Sequence, residues 1–154
     1  MRPQQSNQGL TLVELIATVT IVSILAAGAL PLAKITIKRQ KEIELRRVLR
    51  KMRSAIDRYK DYADLGIIEV KYATEGYPAD LETLVKGVTQ LNAVDKRIRF
   101  LRRIPIDPMT GNQEWGLRSS QDAWDSTSYG GQNVYDVYSK SIRIALDDSK
   151  YSEW

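Results

Sequence analysis

The chain has neither cysteine nor histidine. Without cysteine there are no disulfide staples and no thiolate metal sites, and the redox compartment leaves no mark on the sequence. Without histidine the usual general base and the commonest zinc ligand are missing, as is every Ser-His or Cys-His nucleophilic arrangement. The carboxylates and lysines that remain form no recognisable substrate motif, so no catalytic residue is assigned and an enzymatic role is not expected. Internal repeats and low-complexity tracts are lacking as well.

What is present is unevenly distributed. The 154 residues, 43% hydrophobic, suffice for one modest globular domain, and part of the apolar content sits in a single N-terminal run. The formal charge is +4, concentrated in residues 34–60, where eleven Lys and Arg face only Glu42, Glu44 and Asp57. The rest is mildly acidic. A basic stretch of this kind invites a nucleic-acid reading, but no stacking aromatics are interleaved among Arg46, Arg47, Arg50, Lys51 and Arg53, and no base-reading motif accompanies them. No nucleic-acid partner is expected. A solvated helix face is the simpler account, with part of the charge available to anionic headgroups or to acidic patches of neighbouring subunits.

Residues 1–9 are polar and short, with Arg2 as their only charge, and residues 15–33 are nineteen consecutive residues without one. As a helix such a run spans about 28 Å, enough for one crossing of a hydrocarbon core of roughly 30 Å. It is longer than an ordinary signal-peptide core, although Ala26-Ala27-Gly28 imitates a cleavage site. Glu14 stands at its beginning, where a signal peptide has no use for an acid. Burying such a charge costs roughly 3 kcal/mol on insertion scales, so it requires a partner. The alternative is a plain single-span anchor with one interfacial acid.

The stretch Gly9-Leu10-Thr11-Leu12-Val13-Glu14-Leu15 resembles the processing and assembly motif of type IV pilins and of the pseudopilins of type II secretion. The resemblance implies cleavage between Gly9 and Leu10 by a prepilin peptidase and methylation of the new N-terminus. Glu14 then becomes mature residue five and Pro31 mature residue 22, where the family has its assembly glutamate and its helix-kinking proline. A proline lacks the amide hydrogen and clashes with the preceding turn, so Pro31 should bend or open the helix. The lack of cysteine resembles the major (G type) pseudopilins more than the pilins, which usually close their C-terminal region with a disulfide. The implied setting is the bacterial inner membrane, with a single pass and the head in the periplasm. The implied partners are further copies of the chain in a helical homopolymer, minor pseudopilins, the peptidase, membrane lipid, and an inner-membrane assembly platform with its ATPase. The positive-inside rule alone would place the basic segment in the cytoplasm; the resemblance implies the reverse, with the leader cytoplasmic. The rival readings are a surface type IV pilin and a solitary membrane-anchored binding module.

Beyond the apolar run, Leu45, Val48, Leu49, Met52, Ile56, Tyr59 and Ala63 recur in steps of three and four, which predicts one buried face of a helix continuing to about Asp64 and stopping at Gly66. The expected layout is a leader over 1–9, a membrane and filament-core helix over 10–33, its amphipathic continuation over 34–65 and a head over 66–154. Within the head, Asp80 should cap a short helix carrying Leu81, Leu84, Val85 and Val88. Residues 92–103 are ambiguous, with a helix as one reading. Residues 104–112 should form a loop with a type I turn at Asp107-Pro108. Strands are expected over 114–118 and 134–139, joined through Gly130-Gly131. The class is α+β, a type IV pilin-like fold with a long N-terminal helix packed on a small head of short helices and antiparallel sheet. The closing sequence around Asp147-Asp148 and Trp154 resembles the C-terminal end of major pseudopilins, whose loop there binds calcium. The resemblance thus implies Asp147 and Asp148 as oxygen ligands for a hard cation, with a solvated turn as the alternative. Trp115 and Trp154 are expected in the core of the head.

Overall fold

The computed structural model describes residues 11–91 and 96–154, and it does not extend to the side chains of residues 28–31. Two compact units emerge, Met1–Lys38 and Arg39–Trp154. The long helix α1 (Leu12–Asp64) contributes to both. In the first unit every described side chain over 11–27 is exposed, and the helix is apolar and long enough to cross a membrane.

The second unit is built on the stripe that the heptad-like spacing predicts. Leu45, Leu49, Met52 and Ile56 are at most 2% exposed, and each such side chain withdrawn from water contributes about 1.5–3 kcal/mol. The helix stops where it should. Gly66 takes φ 65, and the bonds from Ile67 N to Tyr62 O and from Gly66 N to Ala63 O form a Schellman closure. A side chain at that left-handed position would be strained.

The head covers this stripe with α2 (Leu81–Lys86) and two small antiparallel sheets. Asp80 caps α2 by accepting the Thr83 amide at 2.6 Å. Val88, expected on that helix, lies instead in β1 (Val88–Thr89), because the helix closes at Gly87, whose amide returns to Thr83 O. β1 pairs with β2 (Arg97–Ile98) through Val88 opposite Ile98. The helix considered for residues 92–103 is therefore corrected over 96–103; residues 92–95 lie outside the described residues. Its place is taken by β2 and a stretch pinned to α2, since the amides of Phe100 and Leu101 both donate to Leu84 O.

β3 (Trp115–Arg118) and β4 (Asp136–Ser139) form the second sheet, in the register Trp115 with Ser139 and Gly116 with Tyr138. Gly116 is required there. The Tyr138 ring occupies the space that a Cβ at this position would need, and the Arg118 guanidinium stacks over the same ring, 4.3 Å from its centroid. The loop over 104–112 is present, with a turn at residues 108–110. Gly111 N reaches back four residues to Asp107 O, while the buried Asp107 carboxylate accepts Met109 N and the Ser139 hydroxyl. The aspartate side chain thus helps to close the turn. A 3-10 turn at Tyr151–Glu153 completes the head. Tyr151 packs edge-on against Trp154, and Trp115 is buried, so both tryptophans join the core as expected.

Candidate functional site

The N-terminal end of α1 carries most of the functional chemistry. Thr11 precedes the helix, and its Oγ1 accepts the Glu14 amide at 3.3 Å. Leu15 N donates to Thr11 O in the first intrahelical bond. Thr11 is therefore the N-cap of the helix, with the acid at the third helical position, where the helix dipole favours a negative charge.

The other polar groups of this segment are satisfied within the helix. The hydroxyls of Thr18, Thr20 and Ser23 donate to the carbonyls of Leu15, Ile16 and Val19, which makes them compatible with an apolar surrounding. The Glu14 carboxylate is different. It forms no ion pair among the described residues, and it stands on a surface where Leu12 and Val13 are three-quarters exposed. Gly9 and Leu10 lie outside the described residues. Pro31 lies within the bounds of α1, but its side chain is also outside them.

A second constellation fastens residues 146–154 to α1. Glu42 Oε1 accepts both the Tyr151 hydroxyl and the Leu146 amide at 2.8 Å. Burial, followed by the bond to Glu42, pushes the Tyr151 phenol up to about 12. Arg46 stacks over Trp154 at 4.1 Å and reaches Asp147 at 3.3 Å. Beside it, Asp136 takes Arg53 Nε at 2.7 Å and Arg118 Nη1 at 3.4 Å. Arg53 also donates to Trp154 O and Val137 O, and Arg118 to Ser126 O and Ser152 O. Reading the residues as part of a basic segment missed Glu42. Its signal was position: it stands three residues before Leu45 and seven before Leu49, in register with the apolar stripe.

Asp147 and Asp148 are neighbours in one turn, closed by Ala145 N donating to Ser149 O. Asp147 Oδ1 accepts the Ser149 amide at 3.1 Å and hydroxyl at 2.6 Å, and its Oδ2 faces Arg46. These bonds, the serine's first and then the Arg46 charge, hold its carboxyl below the usual range. Asp148 takes a left-handed backbone with φ 64. Among the described residues there is no group of three or more acids able to hold a metal. Calcium needs six to eight oxygens, and one of these two carboxylates is already neutralised by an arginine, so the arrangement as it stands does not fit the ion.

With this geometry in view, comparison with known families gives one match: the model for the prokaryotic N-terminal methylation motif covers residues 4–30. No curated protein and no solved structure matched. The matched segment contains Gly9, Leu10, Thr11 and Glu14 and ends one residue short of Pro31. The chain thus carries the type IV pilin-like prepilin signal, the mark of a prepilin-peptidase substrate, at the head of a long apolar helix and an α+β head.

Proposed function

We propose that the chain is a structural subunit of a type II secretion pseudopilus, with no catalytic activity of its own. The observation that carries this reading is a single carboxylate, Glu14, without an ion-pair partner among the described residues on an exposed apolar helix, inside a methylation motif over residues 4–30. Cleavage between Gly9 and Leu10 creates an α-amine about one helical turn from Glu14. A staggered neighbour brings its own amine to that carboxylate, and each charge gains its counter-ion as lipid gives way to packed helices. The monomer waits in the inner membrane with residues 66–154 in the periplasm. An assembly platform and its ATPase then draw it into a fibre with other copies, where minor pseudopilins join. Pro31 supplies a weak point at which the packed helix yields.

A secretion fibre is preferred to a surface pilus because the head has no disulfide to close it. Its residues 146–154 are fastened to α1 instead by Glu42, Arg46 and Arg53. The deciding measurement is mass spectrometry of the chain from cells that hold a prepilin peptidase. The mature protein is expected to begin at methylated Leu10, and retention of residues 1–9 would overturn the reading.

For the Asp147-Asp148 turn the expected outcome is indifference to metal. The melting temperature of the head should be the same in millimolar calcium and in chelator. A rise of several degrees with calcium would make these two carboxylates ligands and require Arg46 to move away.

A further inference from the structure

Within the compact unit the outer face of α1 changes sign along its length, and it does so in a fixed pattern. Arg46, Arg50 and Arg53 are followed at the same spacing by Asp57, Asp61 and Asp64, each acid eleven residues after its arginine. Eleven residues is close to three turns at 3.6 residues each, so all six share one side of the helix. Leu45, Met52 and Ile56, about a third of a turn round the helix, are fully buried, so the charged side flanks the face that the head covers.

Three of the six have partners in their own chain: Arg46 with Asp147, Arg53 with Asp136, and Asp64 with Lys60. Arg50, Asp57 and Asp61 are exposed and form no ion pair among the described residues. A single helix gains nothing from the match. Eleven residues span about 16 Å, twice the distance of about 8 Å over which charges are screened at physiological ionic strength. A second helix, parallel and displaced by that same length, sets Asp57 and Asp61 of one copy level with Arg46 and Arg50 of the other.

We propose that this face is the docking surface for a second copy of the chain, other than the neighbour whose amine meets Glu14, set parallel and shifted by eleven residues, with Asp57 and Asp61 of one copy on Arg46 and Arg50 of the other. The inference rests on the fibre reading, because the charges alone also allow an antiparallel pair, in which Arg46 faces Asp64. Copies that enter one membrane by the same end run parallel. The approach is also confined to one side. Arg47 and Arg58 share the eleven-residue spacing with like charge, but each lies about 100° further round the helix. The neighbour therefore comes from the Arg46 and Asp57 side and leaves Arg58 in solvent.

The chain has no cysteine, so introduced thiols are its only ones. Full-length Arg46→Cys and Asp57→Cys chains are co-expressed, assembled and treated with a short bis-maleimide, since an ion pair holds the backbones further apart than a disulfide tolerates. Cross-linking of this pair is expected, and none for Arg46→Cys with Asp64→Cys. The opposite result means an antiparallel contact and overturns the proposal. Asp61→Arg should lower fibre yield about fivefold, the upper range for an exposed pair, and Arg50→Asp in the same chain should restore it. Neither residue pairs with a charge among the described residues of its own head, so folding should be untouched, and Arg58→Glu should have no effect. If reversing the acids changes nothing while Arg50→Asp blocks assembly, the arginines serve anionic lipid and the proposal fails. Fibres that form without the first cross-link overturn the register alone. Wild-type chains that are neither cleaved nor polymerised overturn the fibre reading, and this inference with it.

Discussion

Glu14→Ala is expected to enter the membrane and be cleaved normally, and to yield at least tenfold less fibre than the wild type. In the monomer the carboxylate sits at the third helical position, where the dipole offsets part of its cost by about 0.3–1 kcal/mol. Removing it therefore leaves insertion unharmed or slightly eased. In the proposed fibre the same position is surrounded by neighbouring apolar helices, where an unpaired charge costs roughly 3 kcal/mol. Once the carboxylate is gone, the neighbour's α-amine is left without its counter-ion, and the cost moves to the other partner. A tenfold loss corresponds to only about 1.4 kcal/mol per contact, well within what an unmatched buried amine imposes. Glu14→Gln keeps the shape and removes the charge, so it should fail almost as fully, whereas Glu14→Asp should recover part of the yield. Electron microscopy and sedimentable protein provide the readout, with mass spectrometry confirming that Leu10 is exposed in each variant. Normal fibres from Glu14→Ala would remove the pairing from the mechanism.

The second large effect lies in the head. Asp136→Ala should destabilise it by about 3 kcal/mol, the lower end for breaking a buried ion pair, and lower its melting temperature by roughly 10 °C. The aspartate is 23% exposed and stands between two guanidinium groups, and the Arg118 side chain is only 9% exposed. Without the carboxylate, two cations face each other in a place that water reaches poorly. Asp136→Asn keeps one acceptor oxygen, which serves one guanidinium while its amide NH2 faces the other, so it should lose only a little less than the alanine. Pairing Asp136→Ala with Arg53→Ala should recover part of the loss, because the repulsion goes with the second charge; a purely additive double variant would mean that the triad is not coupled. Thermal melts followed by circular dichroism are sufficient.

Some of this architecture could be read before any coordinates were known. The apolar stripe from Leu45 to Ala63 and the stop at Gly66 follow from periodicity and from the one residue that tolerates a left-handed turn, because nothing else in the chain competes for that helix. The cap at Asp80 and the strands flanking Trp115 and Val137 were legible for the same reason, since their signals are local. The segment before Phe100 was not. Its conformation is set by Leu84 O, which receives two amides from residues distant in sequence, and no short-range pattern announces such a bond. The fastening of Tyr151 to Glu42 was hidden likewise, because an acid in a basic stretch reads as solvent-facing until its partner is placed. Glu14 is the reverse case. It was conspicuous from the sequence, since an acid beside nineteen uncharged residues violates the surrounding pattern, and the N-terminal methylation match falls on the same segment.

The bonds from Glu42 to Tyr151 and from Arg53 to Trp154 join residues 109 and 101 positions apart. A chain that emerges from the translocation machinery in sequence order therefore exposes the sticky flank of its long rod well before the segment that seals it arrives. Contacts of such long range close slowly, and a half-wrapped rod invites association with other unfinished copies. On the fibre reading proposed above, polymerisation is thereby deferred by the order of synthesis itself, because only a molecule whose distal segment has been delivered and seated presents a finished outer face to its neighbours.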